Sequence, residues 1–392
     1  MKGFAVHTRN ELRLFSEIMK ATFIRRPNRF VVECFLDGQV TAAYMPNPGR
    51  LWELLLPGST LYLADAGRDT DRKYRYTAVA VVRDNTPILL HTHLSNNVVR
   101  WLIEKRKLPG YEDATIVKAE ATVGGSRFDF LLEKDGKPFY LEVKSCTQFG
   151  QEIAMFPDAV TARGRKHLIE LSHHAKEGTP GGVVFLVHWS RANYFLPDYH
   201  TDLEFTRTLL KVRKHILIKA LAVGWNHDMV MDRDIRELTI PWHIAEREAK
   251  DGGSYMLILK LKRDRTIDVG KLGTLFFQKG YYIYIGSAKK NLKKRMERHL
   301  RKRKNHFWHI DYLRDKADDC TALPVRTTDD LECQLSKAIG TITPRAIPGF
   351  GSSDCNCPSH LFYMDHNPLK DASFIDTLLH FRMNRLHGHL TQ

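Results

Sequence analysis

Apolar residues in the first part of the chain occur in short runs divided by turn residues. Residues 29–45 hold two runs rich in β-branched and aromatic residues, with Asp37-Gly38 between them as a tight hairpin turn. Residues 58–67 and 74–92 continue the pattern. Several short strands this close together predict a small β-barrel or sandwich over residues 1–90.

From Ser95 the pattern changes to mixed helix and strand. Helices are predicted within residues 96–107 and 158–178, a hairpin turning at Asp135-Gly136 within 126–145, and a buried strand at 181–189. The polar stretch 246–253 ends in paired glycines and predicts a domain boundary. The predicted domains are therefore 1–90, 91–247 and 248–392, in an α+β or α/β multidomain chain.

Charge points to the class of partner. Among 392 residues, 60 Lys and Arg outnumber 45 Asp and Glu, which gives a formal charge of +15. Such an excess attracts polyanions such as nucleic acid, although a generally basic proteome would also produce it. The six cysteines show no disulfide spacing, and we find neither an export signal nor a membrane-spanning segment. We therefore expect a cytoplasmic protein.

Asp129, Glu142 and Lys144 form the most specific local pattern in the first two predicted domains. Side chains alternate along a strand, so Glu142 and Lys144 project from one side. If Asp129 lies opposite on the neighbouring strand, two carboxylates and an ammonium converge. Such a group can hold Mg²⁺ or Mn²⁺ for phosphodiester hydrolysis, with Lys144 positioning water or offsetting charge on the phosphate. The alternative is an ordinary ion pair on a solvated face.

Four segments around this pattern resemble successive blocks of the SfsA (sugar fermentation stimulation) family. They are residues 46–58, 126–132, 141–147 and 156–168. The resemblance implies an N-terminal OB-like domain followed by a PD-(D/E)XK nuclease-type domain in a DNA-binding protein. It also implies that Asp129, Glu142 and Lys144 are the site residues, with Asp129 and Glu142 as metal ligands.

Two polar groups near these segments are candidate nucleic-acid contacts. Arg163, Lys166 and His167 fall at i, i+3 and i+4, which is one helical face, and they would bind phosphate or simply face solvent. Asn47 and Arg50 lie in a turn shaped by prolines and glycine, which they would either cap or use to contact phosphates.

Residues 289–304 contain ten Lys or Arg and one Glu. Leu292, Met296 and Leu300 recur every four residues and predict one packed stripe on a helix that is otherwise cationic. A helix with so little negative charge is expected to lie near an anion. The candidate nucleic-acid contacts here are Lys289, Lys290, Lys293, Lys294, Arg301 and Arg303.

The segment Tyr284 to His299 resembles the core of the GIY-YIG nuclease family, with residues 253–255 as the first triplet. The resemblance implies that Tyr255 and Tyr284 position or activate water, Arg295 stabilises phosphorane-like charge and His299 assists proton transfer. It assigns Glu332 to a single Mg²⁺. Ser254 replaces the usual Ile, and the long gap to Tyr284 weakens the match at Tyr255. Strand packing is the alternative for Tyr282 and Tyr284.

Cys355, Cys357 and His360 have the spacing C-x-C-x2-H and are candidate Zn²⁺ ligands. A fourth ligand would come from His299, His306 or His309. Buried cysteines in a glycine-rich loop are the alternative.

Together these features predict a DNA-binding, Mg²⁺-dependent endonuclease with two candidate sites. One alternative is a DNA-binding regulator of sugar metabolism whose nuclease folds only bind. Another is an RNA-processing nuclease, because phosphate chemistry alone does not distinguish DNA from RNA.

Overall fold

The computed structural model describes residues 6–8, 11–67 and 72–390, with side chains in the last two ranges. The segment predicted to lack an export signal therefore lies partly outside the described residues. The chain divides into two compact units, Met1–Trp242 and His243–Gln392. Within the described ranges, no helix has the length and apolar character needed to cross a membrane.

The first unit begins with a small barrel. A separate two-stranded sheet is formed by β1 (Val6–Thr8) and β2 (Glu11–Arg13), and the strands of the barrel are β3 (Met19–Asn28), β4 (Val31–Leu36), β5 (Gln39–Tyr44), β6 (Thr60–Asp65), β7 (Tyr76–Arg83) and β8 (Thr86–Leu89). The order β5-β4-β3-β6-β7-β8 is closed by parallel pairing of β5 with β7. Asp37 and Gly38 both have positive φ and connect β4 to β5, as the hairpin prediction requires. The predicted OB-like barrel is confirmed.

A mixed sheet with flanking helices follows. Its order is β17-β16-β14-β11-β10-β9, and β12, β13 and β15 form a second sheet. The elements are α1 (Ser95–Glu104), β9 (Thr115–Val123), β10 (Ser126–Lys134), β11 (Lys137–Cys146), β12 (Gln148–Phe149), β13 (Ile153–Phe156), α2 (Ala162–Lys176), β14 (Gly181–Val187), β15 (Tyr194–Pro197), α3 (Leu203–Val212), β16 (Leu217–Ala222) and β17 (Arg236–Glu237). The turn at Asp135-Gly136, both predicted helices and the buried strand are confirmed.

The barrel and the mixed sheet share one apolar core. Phe23 and Leu61 of the barrel belong to the same buried cluster as Phe128 and Phe185 of the sheet. Burial of such side chains is the main favourable contribution to folding, at about 25 cal/mol per Å² of apolar surface. The two predicted domains thus lie within one compact unit, and the boundary at residue 90 stays a prediction.

The second unit is built on a sheet of order β22-β18-β21-β24-β23. Its elements are α4 (Trp242–Glu248), which begins at the unit boundary, β18 (Gly253–Leu261), β19 (Arg265–Asp268), β20 (Thr274–Phe277), β21 (Gly280–Ala288), α5 (Leu292–Leu300), α6 (His309–Lys316), β22 (Asp319–Arg326), α7 (Glu332–Ile342), β23 (Arg345–Ala346), β24 (Leu361–Met364), α8 (Ala372–Arg382) and α9 (His387–Leu390). Short 3₁₀ turns occupy Thr92–Leu94, Gly270–Leu272, Pro368–Lys370 and Asn384–Leu386. The mixed α+β multidomain class is confirmed.

A buried ion pair joins the start of the second unit to its end. The Glu248 carboxylate is fully buried and accepts a hydrogen bond from Nη2 of Arg385 at 2.6 Å. Arg247 Nε donates to the other carboxylate oxygen at 2.7 Å, and Nη1 of Arg385 donates to Asp329 at 2.9 Å. The predicted boundary at residue 248 stays a prediction, while the compact unit already includes residues 243–247.

Candidate functional sites

The two acidic residues predicted in the first unit lie on adjacent strands. Phe130 on β10 pairs with Leu141 on β11, so Asp129 and Glu142 come next to each other across the two strands. Asp129 Oδ2 accepts a hydrogen bond from the Val143 N–H at 2.7 Å, and its Oδ1 accepts one from Asn96 Nδ2 on α1 at 2.7 Å. Asn96, which the sequence analysis did not identify, thereby fixes the orientation of the Asp129 carboxylate.

Glu142 is 4% exposed and makes charged contacts through one of its oxygens. Its Oε1 accepts hydrogen bonds from Lys144 Nζ and from His167 Nδ1, the latter at 2.6 Å. Arg163 Nε lies 3.4 Å from His167 Nε2, so the pattern assigns the imidazole proton to Nδ1. Among the described residues, no group donates a hydrogen bond to Oε2 of Glu142. A buried carboxylate oxygen without a donor fits a bound cation.

The pKa values of the two carboxyl groups, Asp129 and Glu142, are shifted in opposite directions. Burial raises the pKa of Asp129, and the nearby Glu142 charge raises it further, against its hydrogen bonds from Val143 and Asn96. Burial also acts to raise the pKa of Glu142, but His167 and Lys144 outweigh it and hold that pKa below its ordinary value. Glu142 is therefore the better anion, and a cation would favour ionisation of both groups.

Two of the predicted nucleic-acid contacts are buried, His167 against the expectation of a solvated helix face and Asn47 in the turn-capping role that was one of its two predicted roles. His167 is 4% exposed, so it does not share a solvated face with Arg163 and Lys166, which are exposed. Asn47 is 3% exposed and caps its turn, with Oδ1 accepting from the Gly49 N–H at 2.9 Å. Helix and turn spacing gave no information on how closely neighbouring elements pack. Arg50 is exposed, and its guanidinium lies 5.0 Å from the Trp52 ring centroid.

In the second unit, the two tyrosines of the predicted site face each other across paired strands. Tyr255 on β18 pairs with Gly286, and Tyr284 on β21 pairs with Leu257, which places both phenols on one face with ring centroids 6.4 Å apart. A Cβ at Gly286 would lie 2.5 Å from the Tyr255 hydroxyl, so glycine is needed at that position. Tyr282 packs in the core and donates to the Gln278 carbonyl at 2.8 Å.

A cavity of about 360 Å³ brings together residues from four elements. Tyr255, Tyr284, Arg295 on α5 and Glu332 at the start of α7 all line it. Glu332 Oε2 accepts from the Ser287 hydroxyl, and Oε1 lies 3.1 Å from His360 Nδ1. Burial acts to raise the pKa of Glu332, but His360 and Ser287 outweigh it and lower the pKa. A carboxylate and a guanidinium thus share one small polar cavity.

Beside the cavity, Tyr255, His299 and Asp311 form a buried series of polar contacts. The Tyr255 hydroxyl lies 2.9 Å from His299 Nε2, and His299 Nδ1 lies 3.5 Å from Asp311 Oδ1. Burial lowers the pKa of His299, partly offset by Asp311, so the ring is neutral near neutral pH and its Nε2 accepts a hydrogen bond from the Tyr255 hydroxyl. Burial raises the pKa of Tyr255 and Tyr284, so both phenols stay protonated near neutral pH.

Some Lys and Arg side chains of residues 289–304 pair with Asp311, and others are exposed to solvent. Arg298 and Lys304 each contact Asp311 at 3.0 Å. The six predicted contacts, Lys289, Lys290, Lys293, Lys294, Arg301 and Arg303, are exposed. The predicted stripe was wrong at Leu300, which is 38% exposed, because α5 buries His299 beside Leu292 and Met296. A spacing of 3.6 residues per turn allows position 299 as readily as 300.

The predicted zinc residues are joined by a cysteine that the sequence analysis missed. Ligand atoms of Cys333, Cys355, Cys357 and His360 lie within 4.8 Å of one another. The prediction of a fourth ligand from His299, His306 or His309 was therefore wrong, since the described cluster contains none of them. Sequence spacing could not find Cys333, because the approach of α7 to the loop after β23 is a tertiary contact.

Asn96, Asp311 and Ser287 were also missed. Each supports a predicted site residue through a hydrogen bond or, for Asp311 and His299, a polar contact at 3.5 Å between separate elements. Such residues carry no motif of their own, since many polar residues would look the same in sequence. Their roles become visible only in the folded structure, where the helices and strands that carry them lie beside the site.

Comparisons with known proteins agree with these elements. Residues 24–90 match the SfsA N-terminal OB domain, residues 93–229 the sugar fermentation stimulation protein RE domain, and residues 254–382 a domain of unknown function, DUF123. Two relatives are named sugar fermentation stimulation protein homologs. The one from Methanothermobacter thermautotrophicus is 33% identical over 57% of this chain and 94% of its own length. The one from Moorella thermoacetica is 40% identical over 50% of this chain and 84% of its own.

A solved structure is similar to the same part of the chain. It is that of Pyrococcus furiosus SfsA in complex with Ca²⁺, which is 29% identical with a TM-score of 0.52 and covers 57% of this chain and 96% of that one. From the OB barrel, the RE domain and alignments that cover most of each relative's length, the chain belongs to the SfsA family and carries a DUF123 domain after the SfsA region.

Proposed function

We propose that this chain binds DNA and hydrolyses its phosphodiester bonds at two metal-dependent sites, one in each unit. The observation that carries the proposal is the cavity where Tyr255, Tyr284, Arg295 and Glu332 meet. These residues come from separate elements, yet they place hydroxyls, a guanidinium and a carboxylate around a space of about 360 Å³. That set suits a phosphate, a water and a hard cation.

Both carboxylate groups fit a hard divalent cation. In the first unit, the buried Oε2 of Glu142 lacks a donor among the described residues, and Asp129 faces it. In the second, Glu332 retains lone pairs beyond those used by Ser287 and His360. The Pyrococcus furiosus relative was solved with Ca²⁺, which shares with Mg²⁺ a preference for oxygen ligands. When bound, Mg²⁺ or Mn²⁺ would polarise the phosphate and acidify water.

In the first unit, protein groups around Glu142 hold and balance its charge. The Lys144 ammonium is near enough to Glu142 to position a water or to offset charge that develops on the phosphate. His167 also donates a hydrogen bond to Oε1, while Oε2 has no donor among the described residues. We assign His167 as a positioning residue, because it acts through the carboxylate it contacts.

In the second unit, the tyrosines orient water and Arg295 binds phosphate oxygens. Because both phenols stay protonated, their hydroxyls act by hydrogen bonding and not as phenolate bases. His299 and Asp311 hold the Tyr255 hydroxyl in one orientation and are positioning residues. Arg295 lies 4.9 Å from the Trp308 ring centroid, which limits the guanidinium to one side of the cavity.

Two further surfaces support nucleic-acid binding. The barrel carries a cavity of about 520 Å³ lined by aromatic and cationic residues: Phe30, Tyr44, Arg72, Lys73, Tyr74 and His91. Aromatic faces and cations together are what single-stranded bases and phosphates require. The exposed lysines of α5 supply the same charge in the second unit, where Phe307 is 78% exposed beside the cavity.

The test is cleavage of labelled single-stranded, duplex and branched DNA, with an RNA control, in Mg²⁺, in Mn²⁺ and in EDTA. Wild type is compared with Glu142→Gln, Glu332→Gln and the double variant. We expect EDTA-sensitive cutting that survives either single change and disappears with both. Glu297→Gln removes an exposed carboxylate from α5 and serves as the matched control, with cutting retained.

The same experiment separates the alternatives. Loss with one single change would leave one working site and identify its unit. Tight binding without cutting in either metal would overturn the nuclease proposal and favour a DNA-binding regulator. Cutting confined to the RNA control would identify an RNA-processing nuclease.

A further inference from the structure

Three thiols and an imidazole meet at the edge of the second-unit cavity. Cys333 is the second residue of α7, and His360 directly precedes β24. Cys355 and Cys357 lie in the intervening loop, residues 347–360, which contains neither helix nor strand. The four ligand atoms lie within 4.8 Å of one another although the residues come from separate segments. Nothing in the nuclease chemistry proposed above uses these thiols.

We propose that Cys333, Cys355, Cys357 and His360 bind one zinc ion and that His360 couples this ion to Glu332. The first part stands on the cluster alone. The second part rests on the proposed function, in which Glu332 is a ligand of the catalytic metal.

The donor set selects zinc over the hard cation proposed for Glu332. Thiolates and imidazole favour Zn²⁺, and Cys₃His is a common structural zinc set, whereas Mg²⁺ takes oxygen ligands. Thiolates about 2.3 Å from one tetrahedral zinc lie about 3.8 Å apart. The observed separations of up to 4.8 Å require only a small contraction. Closed coordination by four protein ligands leaves no position for substrate, which assigns the ion a structural role.

His360 is oriented to connect the two groups. Its Nε2 lies 3.4 Å from the Cys355 sulfur, whereas its Nδ1 lies 3.1 Å from Glu332 Oε1, and the residue is 1% exposed. With Nε2 on zinc, the ring proton resides on Nδ1 and is donated to Glu332. Ser287 donates to the other oxygen. The carboxylate is thereby held at both oxygens, with its remaining lone pairs free for the cavity.

The same loop also forms part of the cavity wall. Gly351, Ser353 and Asp354 line the cavity just before Cys355 in sequence. A Cβ at Gly351, where φ is +73°, would lie 2.8 Å from the Tyr284 ring, so the backbone packs directly on that phenol. An ion that ties Cys355 and Cys357 to Cys333 therefore holds this wall against α7. Zinc would fix both Glu332 and the loop that faces it.

The first experiment measures zinc in the purified full-length chain by mass spectrometry. We expect one zinc per chain, and after exchange with Co²⁺ the absorption bands of a tetrahedral thiolate site. Cys355→Ser and Cys357→Ser should lose the ion, while Cys320→Ser, a cysteine of β22 outside the cluster, should keep it. Wild-type protein without zinc that also takes up no Co²⁺ would overturn the site, whether or not the variants fold. A disulfide within the cluster in freshly reduced and zinc-reconstituted protein would do the same.

The second experiment measures Mn²⁺ binding by electron paramagnetic resonance in a Glu142→Gln background, so that the second-unit site is observed. His360→Cys preserves a four-ligand zinc site but removes the proton donated to Glu332. We expect zinc to be retained and Mn²⁺ to bind 10- to 100-fold more weakly, the usual effect of losing such a supporting contact. Unchanged Mn²⁺ affinity in zinc-loaded His360→Cys would overturn the coupling.

These readouts distinguish the inference from the proposed function. Zinc retention with the expected Mn²⁺ effect, but no cleavage of any substrate, would sustain the inference and overturn the nuclease. Zinc-loaded protein in the Glu142→Gln background that binds no Mn²⁺ would overturn the coupling and the second metal site together.

Discussion

The two candidate sites contain similar groups in opposite proportions. In the first unit, the partly buried Asp129 and the buried Glu142 lie on adjacent strands, with the Lys144 ammonium on the same sheet and the His167 imidazole on α2. In the second, one carboxylate faces a guanidinium and two protonated phenols in a polar cavity. The first site therefore carries excess negative charge that a cation must offset, whereas the second supplies its own cation for the phosphate. Under the proposed function, two arrangements of charge serve one reaction, and variants of the two sites should lose activity for different reasons.

The largest expected effect comes from removing the Arg295 guanidinium of the second-unit site. In a Glu142→Gln background, Arg295→Ala should lower kcat about 10²- to 10³-fold, because the guanidinium stabilises phosphate charge in the transition state. Arg295→Lys should recover little, since a point charge cannot form two parallel hydrogen bonds. Single-turnover cleavage measures this effect. Arg263→Ala removes an equal charge from exposed surface outside the predicted nucleic-acid contacts, and a similar loss of kcat there would refute the role assigned to Arg295.

The next effect concerns metal dependence in the first unit. Mg²⁺ or Mn²⁺ at a hundred times its Kd should stabilise that unit by about 2.7 kcal/mol. Glu142→Gln should abolish this gain, whereas Glu152→Gln, a carboxylate outside the site, should retain it. Thermal unfolding with and without metal measures the gain. Equal stabilisation of Glu142→Gln would place the ion elsewhere.

That stabilisation should also depend on pH. Because the folded pKa of Asp129 is raised, its protonated form contributes stability below the unfolded pKa, which is lost as pH rises through the folded pKa. Metal binding needs the ionised form, so the gain from metal should decline as pH falls through that raised pKa. Decline should begin at a higher pH than for an ordinary aspartate. Unfolding curves across pH, with and without metal, measure both trends, and a pH-independent gain would contradict them.

Base stacking offers a smaller effect in the second unit. Phe307→Ala should weaken single-stranded DNA binding by about 1–3 kcal/mol if a base stacks on this exposed ring. Phe276 is 59% exposed on β20, away from the cavity lining, and Phe276→Ala is the matched control. Fluorescence anisotropy measures both. Equal losses would point to a general apolar contribution.

The smallest effect is electrostatic. Lys294→Gln should reduce the slope of log affinity against log salt by about 0.9 for duplex DNA, if Lys294 contacts one phosphate. Lys370, exposed on another element, provides the control in Lys370→Gln. Binding titrations at several salt concentrations measure the slope. An unchanged slope for Lys294→Gln would remove that residue from the proposed surface.

Turn-forming Asp-Gly pairs and the strand-forming runs beside them made much of the fold predictable from sequence. Asp37-Gly38 and Asp135-Gly136 specify tight turns, and the runs beside them have the composition of strands, so both hairpins followed from sequence. The approach of Asp129 to Glu142 followed from the second hairpin. These features depend on neighbours in sequence, where turn geometry and side-chain alternation act directly.

Features set by long-range packing were not predictable. Burial of His167 against Glu142 depends on where α2 lies on the sheet, and helical spacing contains no such information. Cys333 joins Cys355 only because α7 and the loop after β23 meet. Asp311 organises His299, Arg298 and Lys304, yet in sequence it is one acidic residue among many. Site roles assigned through family resemblance stay predictions until the variants are measured.

The pair between Glu248 and Arg385 has a practical consequence for cutting the chain. A C-terminal fragment that starts at the family match, residue 254, would lack Glu248 and leave Arg385 with Asp329 as its one anionic partner among the described residues. Loss of one member of a buried pair costs about 3–5 kcal/mol, a large share of a small domain's stability. A fragment that begins at His243 retains the pair. A fragment intended to fold alone should therefore begin at the start of the second compact unit, His243, and not at the edge of the recognised domain.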